Sequence, residues 1–389
     1  MRKDWEYKKL GEVCETSSGG TPSKTYTEYY ENGTIPWLRS GEVSQGYIYD
    51  AEIYISELGL NKSSAKIFPK GTVLIAMYGA TVGEVGILCN PMCTNQAICG
   101  VLPNDLYNSE FLRYVLLSHK DKYLSLAIGG AQPNISQQII KNTLIPLIDK
   151  STQLSIVAEL DKINELIQLK KQQLKDYDQL AQSIFHEMFG DPVENEKGWE
   201  VKNIESVCSS IVRGPFGSAL KKDFFVPKNN STYKIYEQKN AIQKNASIGS
   251  YYITEERFKE LSRFELLPGD IIMSCSGTIG ELYRIPVNAE KGIMNQALLK
   301  FSLLKQINFL YFLYLMDYVK KEFTIRGSGL QNIGSVKIIK SMKFGLPPLP
   351  LQQQFAARIE AIERQKQQVS ETIKDLETLL ASRMQYWFD

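Results

Sequence analysis

The sequence is poor in the residues on which most enzyme chemistry depends. Its 389 positions hold only two histidines, His119 and His186, and six cysteines, Cys14, Cys89, Cys93, Cys99, Cys208 and Cys275. The cysteines form no Cys-x-x-Cys pair and have no zinc-finger spacing, so they read as reduced, partly buried thiols. No run of about 18 uncharged apolar residues could span a bilayer, and the opening Met1-Arg2-Lys3-Asp4-Trp5 lacks the apolar stretch of a signal peptide. A cytoplasmic protein is therefore expected. No Gly-x-x-x-x-Gly-Lys-Ser/Thr phosphate loop occurs, which removes the simplest route to ATP hydrolysis. The string nearest to an Asn-Pro-Pro-aromatic tetrapeptide, Asn90-Pro91-Met92-Cys93, lacks the second proline and the aromatic residue. His119 falls in a predicted helix and His186 near the end of another, where each reads as structural. The acidic string Asp191 to Lys197 reads as a solvated linker. No catalytic residue, cofactor site or metal site is assigned.

Charge of either sign is also not in excess. Forty-five basic residues face 43 acidic ones, a net charge of +2 that neither demands nor excludes a polyanionic partner. Its distribution is uneven. Residues 151–191 and 351–389 carry 9 basic and 13 acidic side chains, which leaves 36 basic against 30 acidic elsewhere.

What the sequence does have is an internal repeat. Trp5-Glu6-Tyr7-Lys8 returns as Trp199-Glu200-Val201-Lys202. Gly71-Thr72-Val73-Leu74, followed by Gly79 and Thr81-Val82-Gly83-Glu84, returns as Gly269-Asp270-Ile271-Ile272, then Gly277-Thr278-Ile279-Gly280-Glu281. Asn95-Gln96-Ala97 matches Asn295-Gln296-Ala297, and Asn134-Ile135 matches Asn332-Ile333. The order is kept at offsets of 194 to 200 residues, too long for a solenoid and right for tandem domains.

Each copy leads through a proline-marked junction, at Pro146 or at Pro347-Pro348, into a long helical pattern. Ile156, Leu160, Ile163, Ile167, Lys170, Leu174, Tyr177, Ala181, Ile184 and Met188 follow a 4-3 spacing. Phe355, Ile359, Ile362, Lys366, Val369, Ile373, Leu376, Leu380, Arg383 and Trp387 repeat it, each shifted by 199. This is a coiled-coil seam, and the two helices are expected to pair; packing of each onto its own globular unit is the alternative. Gly190-Asp191-Pro192 closes the first helix in glycine-then-proline order. A helix over 151–188 is about 57 Å long at 1.5 Å per residue, the rise of about 17 base pairs of DNA. The globular stretches are mixed α and β, with strands near Gly71–Ala76, Gly86–Cys89 and Asp270–Ser274 and shorter helices over Phe111–Lys122 and Phe309–Lys321.

With Ser18-Gly19-Gly20-Thr21-Pro22-Ser23-Lys24 and Ile35-Pro36-Trp37-Leu38-Arg39-Ser40-Gly41-Glu42 in the first copy, the chain resembles the specificity subunits of type I restriction-modification systems over essentially its full length. Arg213-Gly214-Pro215-Phe216-Gly217-Ser218, Leu267-Pro268-Gly269-Asp270-Ile271-Ile272 and Leu346-Pro347-Pro348-Leu349-Pro350 leading into Gln352 carry the likeness in the second. The resemblance implies an α+β protein with a pseudo-two-fold repeat. Its parts would be a target recognition domain over 1–148, a spacer helix over 149–190, a second target recognition domain over 191–347 and a second spacer helix over 348–389. The spacers would form an antiparallel coiled coil. It further implies a non-catalytic subunit that binds a bipartite, gapped site in double-stranded DNA. Its partners would be two modification (methyltransferase) subunits and restriction (motor and nuclease) subunits, on which S-adenosylmethionine, ATP and Mg would bind.

DNA contact then falls to polar and basic side chains on loops delivered by strands. The candidates are Thr21, Ser23, Lys24, Arg39, Tyr78 and Thr81 in the first copy, and Arg213, Ser218, Lys221, Lys222, Ser276 and Thr278 in the second. The carboxamides of Asn95-Gln96 and Asn295-Gln296 have the groups to read adenine bidentately, but inside apolar runs they read first as core groups that satisfy the backbone. The glycine-rich loops at 129–132 and 326–331 are further candidates for approach to DNA. Two other readings remain: a coiled-coil adaptor without DNA affinity, and the remnant of a fused restriction-methylation enzyme.

Overall fold

The computed structural model describes residues 2, 4–128, 133–216, 219–325 and 336–388, with 321–325 described by backbone alone. They fall into two compact units, Met1–Gln172 with Ser370–Asp389, and Gln173–Val369. Each unit thus combines one globular stretch with part of both long helices.

The first unit contains β1 (Glu6–Lys9), β2 (Thr16–Ser18), β3 (Ile35–Leu38), β4 (Tyr47–Ile48), β5 (Tyr54–Ile55), β6 (Ile67–Phe68), β7 (Val73–Ala76), β8 (Val85–Leu88), β9 (Met92–Thr94), β10 (Ile98–Val101) and β11 (Leu144–Leu147). Strands β7, β8 and β10 are buried at every position. This is why they read as continuous apolar runs without alternation. They form the middle of a sheet ordered β2-β10-β7-β8-β4, beside a second sheet ordered β5-β3-β9-β6. Strands β3 and β9 run parallel, with Leu38 opposite Thr94. Strand β1 pairs antiparallel with β11, which brings the chain back to its opening segment just before the first long helix.

The second unit repeats this plan with β12 (Glu200–Asn203), β13 (Cys208–Arg213), β14 (Thr232–Tyr236), β15 (Tyr252–Thr254), β16 (Glu265–Leu266), β17 (Ile271–Ser274), β18 (Leu282–Arg284), β19 (Gly292–Met294), β20 (Leu298–Leu303) and β21 (Lys343–Leu346). Its sheets are ordered β13-β20-β17-β18 and β15-β14-β19-β16, and β12 pairs with β21. Among the described residues it has no counterpart of the edge strand β4. The strands expected near 71–76, 86–89 and 270–274 are β7, β8 and β17. The helix expected over Phe111–Lys122 is instead two, Ser109–Ser118 and Lys120–Leu126. The break falls at His119, whose Nδ1 lies 2.9 Å from the Val115 carbonyl oxygen. Its counterpart runs unbroken over Phe309–Ile325.

The long helices are Lys150–Phe189 and Leu349–Phe388, 40 residues each. Asp149 caps the first by accepting from the Thr152 amide at 3.0 Å. Gly190, with φ +68°, ends it as glycine at that position is expected to. The helices pack together, antiparallel. In the first unit Glu159 pairs with Arg383 and, further along, Lys171 with Glu377 at 2.9 Å. In the second unit Asp178 pairs with Lys366 at 2.8 Å, and Phe185 meets Phe355. Ile156, Leu160, Ile163, Ile167, Phe355, Ile359, Ile362, Val369 and Ile373 are buried, while Leu174, Tyr177, Ile184, Leu376 and Leu380 are half-buried.

The seam departs from strict 4-3 spacing at each helix end, where the helix still touches its partner but also enters a globular core: Phe185 and Phe189 both meet Phe355. Phe185 and Phe189 are both fully buried, one position beyond the seam residues Ile184 and Met188. Phe189 packs edge to face on Tyr311 at 4.9 Å in the second unit, and Phe388 packs likewise on Phe111 at 5.8 Å in the first. The start of each helix is tied by a buried glutamine. Gln153 accepts from the Asn108 amide at 2.8 Å and donates to the Leu106 and Ile148 carbonyls at 2.9 Å. Gln352 repeats this with the Asn308 amide at 2.8 Å and the Pro347 carbonyl at 2.7 Å.

Five of the six cysteines are buried and none forms a disulfide. Burial pushes the Cys93 and Cys275 thiols up to about 11 and the Cys99 and Cys208 thiols up to about 12, the setting of structural thiols and not of activated ones.

Candidate nucleic-acid interface

One end of the central sheet gathers most of the candidate residues in each unit, and the Asn-Gln turns form its hub. After β9, the Asn95 amide donates to the Leu38 carbonyl at 2.9 Å, the Asn95 side chain accepts from the Ala97 amide at 3.2 Å, and Met77 donates to the Ala97 carbonyl at 2.8 Å. After β19, Asn295 donates to Tyr236 at 2.9 Å, its side chain accepts from Ala297 at 3.0 Å, and Cys275 donates to Ala297 at 2.8 Å. These bonds place three segments side by side: the loop after β2 or β13, the loop after β7 or β17, and the residue that follows β3 or β14. Both asparagines are structural, as expected of them. Gln96 and Gln296, in contrast, are exposed.

Gly19 and Gly214 press the first of these loops onto the turn. The Gly19 amide donates to Ile98 at 3.3 Å and Gly214 to Leu298 at 3.0 Å. A Cβ at Gly19 would overlap Thr94 and the Asn95 carbonyl, and one at Gly214 would overlap the Asn295 carbonyl. The backbone approach, and not a positive φ, therefore requires glycine at both places. The Trp37 indole holds the Gly20 carbonyl at 2.8 Å, which fixes the direction in which Thr21 leaves.

In the first unit Thr21 is half-buried and its hydroxyl donates to Gln96 Oε1, while Ser23 and Lys24 are exposed beyond it. Arg39 is exposed but ion-paired with Glu52, and lies 3.6 Å from the buried Glu42. Tyr78 is 46% exposed and opens the Gly79–Thr81 turn, where Thr81 is half-buried and donates to the Tyr78 carbonyl at 3.3 Å. Gly79 and Gly83 have φ of +75° and +81°, and Gly277 and Gly280 repeat them at +62° and +86°. A loop one residue shorter, with glycines of positive φ at corresponding places, presents Ser276 and the exposed Thr278.

In the second unit Arg213 closes β13, donates through Nε to the Gln296 carbonyl at 3.3 Å, and sets its guanidinium 4.9 Å from the centre of the Phe216 ring, which is 62% exposed. The position matching Arg39 is Glu237, which pairs with Lys239 at 2.6 Å. Lys221 and Lys222 are exposed on a different segment, whose Leu220 and Phe225 pack on the β15-β14-β19-β16 sheet. Ser218 and the glycine-rich loops at 129–132 and 326–331 lie outside the described residues.

Of the residues at this end, reasoning from the sequence set Gln96 and Gln296 aside as core groups and did not name Phe216 or Lys239 among its candidates. A repeated Asn-Gln beside polar loops was the available signal for the glutamines, but the flanking apolar runs hid that the turn breaks them. Among the described residues no three His, Cys, Asp or Glu side chains come together as a metal site, and no helix is long and apolar enough to cross a membrane.

A duplicated α+β unit, a shared antiparallel helix pair and a polar end on each unit define a tandem recognition protein. The chain belongs to the type I restriction-modification DNA specificity family, whose characteristic domain matches residues 2–176 and again 196–378. It is accordingly a DNA specificity subunit without a catalytic role. Among its relatives are the MjaIX specificity subunit of Methanocaldococcus jannaschii, 28% identical over 92% of this chain and 87% of the relative, and the EcoR124I/EcoR124II specificity subunit of Escherichia coli, 29% identical over 41% of each. Two solved structures share the fold. One, from a study of assembly and conformational transition in a type I restriction-modification system, covers 100% of this chain and 98% of its own at a TM-score of 0.69 and 19% identity. The other, a specificity subunit from M. genitalium, covers 99% and 96% at 0.51 and 14%.

Proposed function

We propose that the chain reads a bipartite, gapped site in double-stranded DNA, one half-site per unit, within a complex that also holds two modification subunits and restriction subunits. The carrying observation is the duplicated polar end: one scaffold of hydrogen bonds presents different side chains in each copy. In the first these are Thr21, Ser23, Lys24, Arg39, Tyr78 and Thr81; in the second, Arg213, Phe216, Lys239, Ser276 and Thr278. A common frame with different readers suits a target whose halves differ in sequence. Lys221 and Lys222 are phosphate contacts outside this end. S-adenosylmethionine, ATP and Mg belong to the partner subunits, and the complex works in a prokaryotic cytoplasm.

The gap follows from the spacers. Two helices of 40 residues, paired in a seam that resists slippage, hold a fixed spacing of about one to one and a half turns of DNA. The test is to purify the chain with its methyltransferase partner and map the methylated positions across a genome. A two-part motif with a constant unread gap is the expected outcome; a continuous motif, or methylation without sequence preference, would overturn the reading.

A further inference from the structure

We infer that Gln96 and Gln296 are sequence-independent DNA contacts, neutral amide donors to the phosphodiester backbone that every half-site presents alike. Discrimination between the halves then falls to the surrounding side chains that differ. This rests on the DNA-reading role proposed above and goes further by dividing that end into anchors and readers.

The argument starts from what the turn requires. Asn95 and Asn295 must accept from the amide two residues on, and the same four backbone positions are bonded in both copies, through Leu38, Met77, Ala97 and Ile98 in one and Tyr236, Cys275, Ala297 and Leu298 in the other. Nothing in that scaffold uses the next side chain. Positions 96 and 296 are exposed, and a turn of this kind tolerates any polar residue there. Around them the copies have diverged: Ser18 matches Arg213, Arg39 matches Glu237, and Tyr78 matches Ser276. An exposed glutamine retained in both copies amid such change meets a demand that both half-sites make.

Chemistry selects the backbone over a base. A carboxamide that reads adenine uses its oxygen and nitrogen together. In the first unit the Thr21 hydroxyl occupies one lone pair of that oxygen and pins the carboxamide to the neighbouring loop, while Nε2 has no protein acceptor among the described residues. Phosphate oxygens only accept. In the second unit Arg213 grips the carbonyl of Gln296 itself and brings a cation to the same turn. A rigid turn fixes where the side chain leaves the backbone, which suits an anchor whose task is register.

The test uses the full chain in complex with its modification partner, with Gln96→Ala, Gln296→Ala and both together. Each is measured on a duplex carrying the mapped target and on a random-sequence duplex, alongside methylation mapping. The expected result is a loss of roughly tenfold to a hundredfold per glutamine, the worth of one hydrogen bond to a charged phosphate, equal on both duplexes and with the mapped motif unchanged. Gln96→Lys and Gln296→Lys should tighten binding to both duplexes and steepen the salt dependence, a response that a purely structural residue would not give. Loss confined to the target duplex, a motif that relaxes at one position, or no change on either duplex overturns the inference while the reading role stands. Failure of the unsubstituted complex to bind DNA removes both.

Discussion

Phe185 of the first long helix and Phe355 of the second meet edge to face, with ring centres 5.5 Å apart, inside an aromatic cluster that also holds Phe189, Tyr311, Tyr314 and Tyr318. By the repeat offset the matching positions in the first unit are Met384 and Ile156, which share a core but are not aromatic. Phe185→Ala is therefore expected to cost about 3–5 kcal/mol, read as a lower urea midpoint. Met384→Ala, at a half-buried position, should cost clearly less.

The buried glutamines give a second expectation. Gln352→Leu keeps the volume but strands the Asn308 amide and the Pro347 carbonyl, each now bonded to Gln352. A loss of about 2 kcal/mol or more is expected, with faster hydrogen exchange at the Asn308 amide. Gln153→Leu should behave alike at Asn108.

Glu159 makes one part of stability acid-sensitive. Hydrogen bonding from Arg383, and next from the Trp387 indole at 3.2 Å, holds its carboxyl below the usual 4.5. A carboxylate whose value is lowered by folding contributes stability that is fully present above the unfolded value and lost as pH falls through the folded one. As pH falls below the usual 4.5 and through the lowered value of the folded state, the wild-type chain should thus lose stability that Glu159→Gln never had. Trp387 lies near Trp5, with parallel rings 6.1 Å apart and the Arg2 guanidinium 4.7 Å from the Trp5 ring. Tryptophan fluorescence at low pH will follow the same loss; identical acid profiles for the two proteins would refute it.

Gly214→Ala forces a side chain into the Asn295 carbonyl. It should abolish DNA binding by the second unit through displacement of the Arg213–Phe216 loop. Gly41→Ala, with nothing within 4 Å of the added carbon, is the control and should bind normally.

Removing one heptad from each long helix, in register, shortens the pair by roughly 10 Å. That is about three base pairs of rise, and mapped methylation should report a gap shorter by that number with both half-site sequences intact. An unchanged gap would separate spacer length from site spacing.

The sequence displayed most of the frame because repetition and periodicity are local signals. The 199-residue offset located both long helices within a residue or two, and the apolar runs marked β7, β8 and β17. The helix ends were harder to see. Phe185 and Phe189 join the globular core while still meeting Phe355 of the other helix, and Phe388 packs on Phe111; only tertiary packing reveals this shared role. The interface was legible as a set of loops but not as contacts. Arg39 looked available until Glu52 and Glu42 appeared beside it, and Gln96 looked buried because Met92–Thr94 and Ile98–Val101 flank it. Side chains whose partners lie 13 or 75 residues away, as with Arg39–Glu52 and Thr21–Gln96, leave no periodic trace.

The crossed packing of Phe189 on Tyr311 and Phe388 on Phe111 makes the two repeats mutually dependent. A chain of one repeat alone would end its helix in an aromatic residue fitted to the short helix of the other copy, with Ile156, Leu160 and Ile163 facing no partner. Two such chains would satisfy each other with their helices antiparallel, each supplying the contacts that the other lacks. The covalent link in this chain supplies that partner at no cost in concentration, and it lets each half present different side chains without losing its mate.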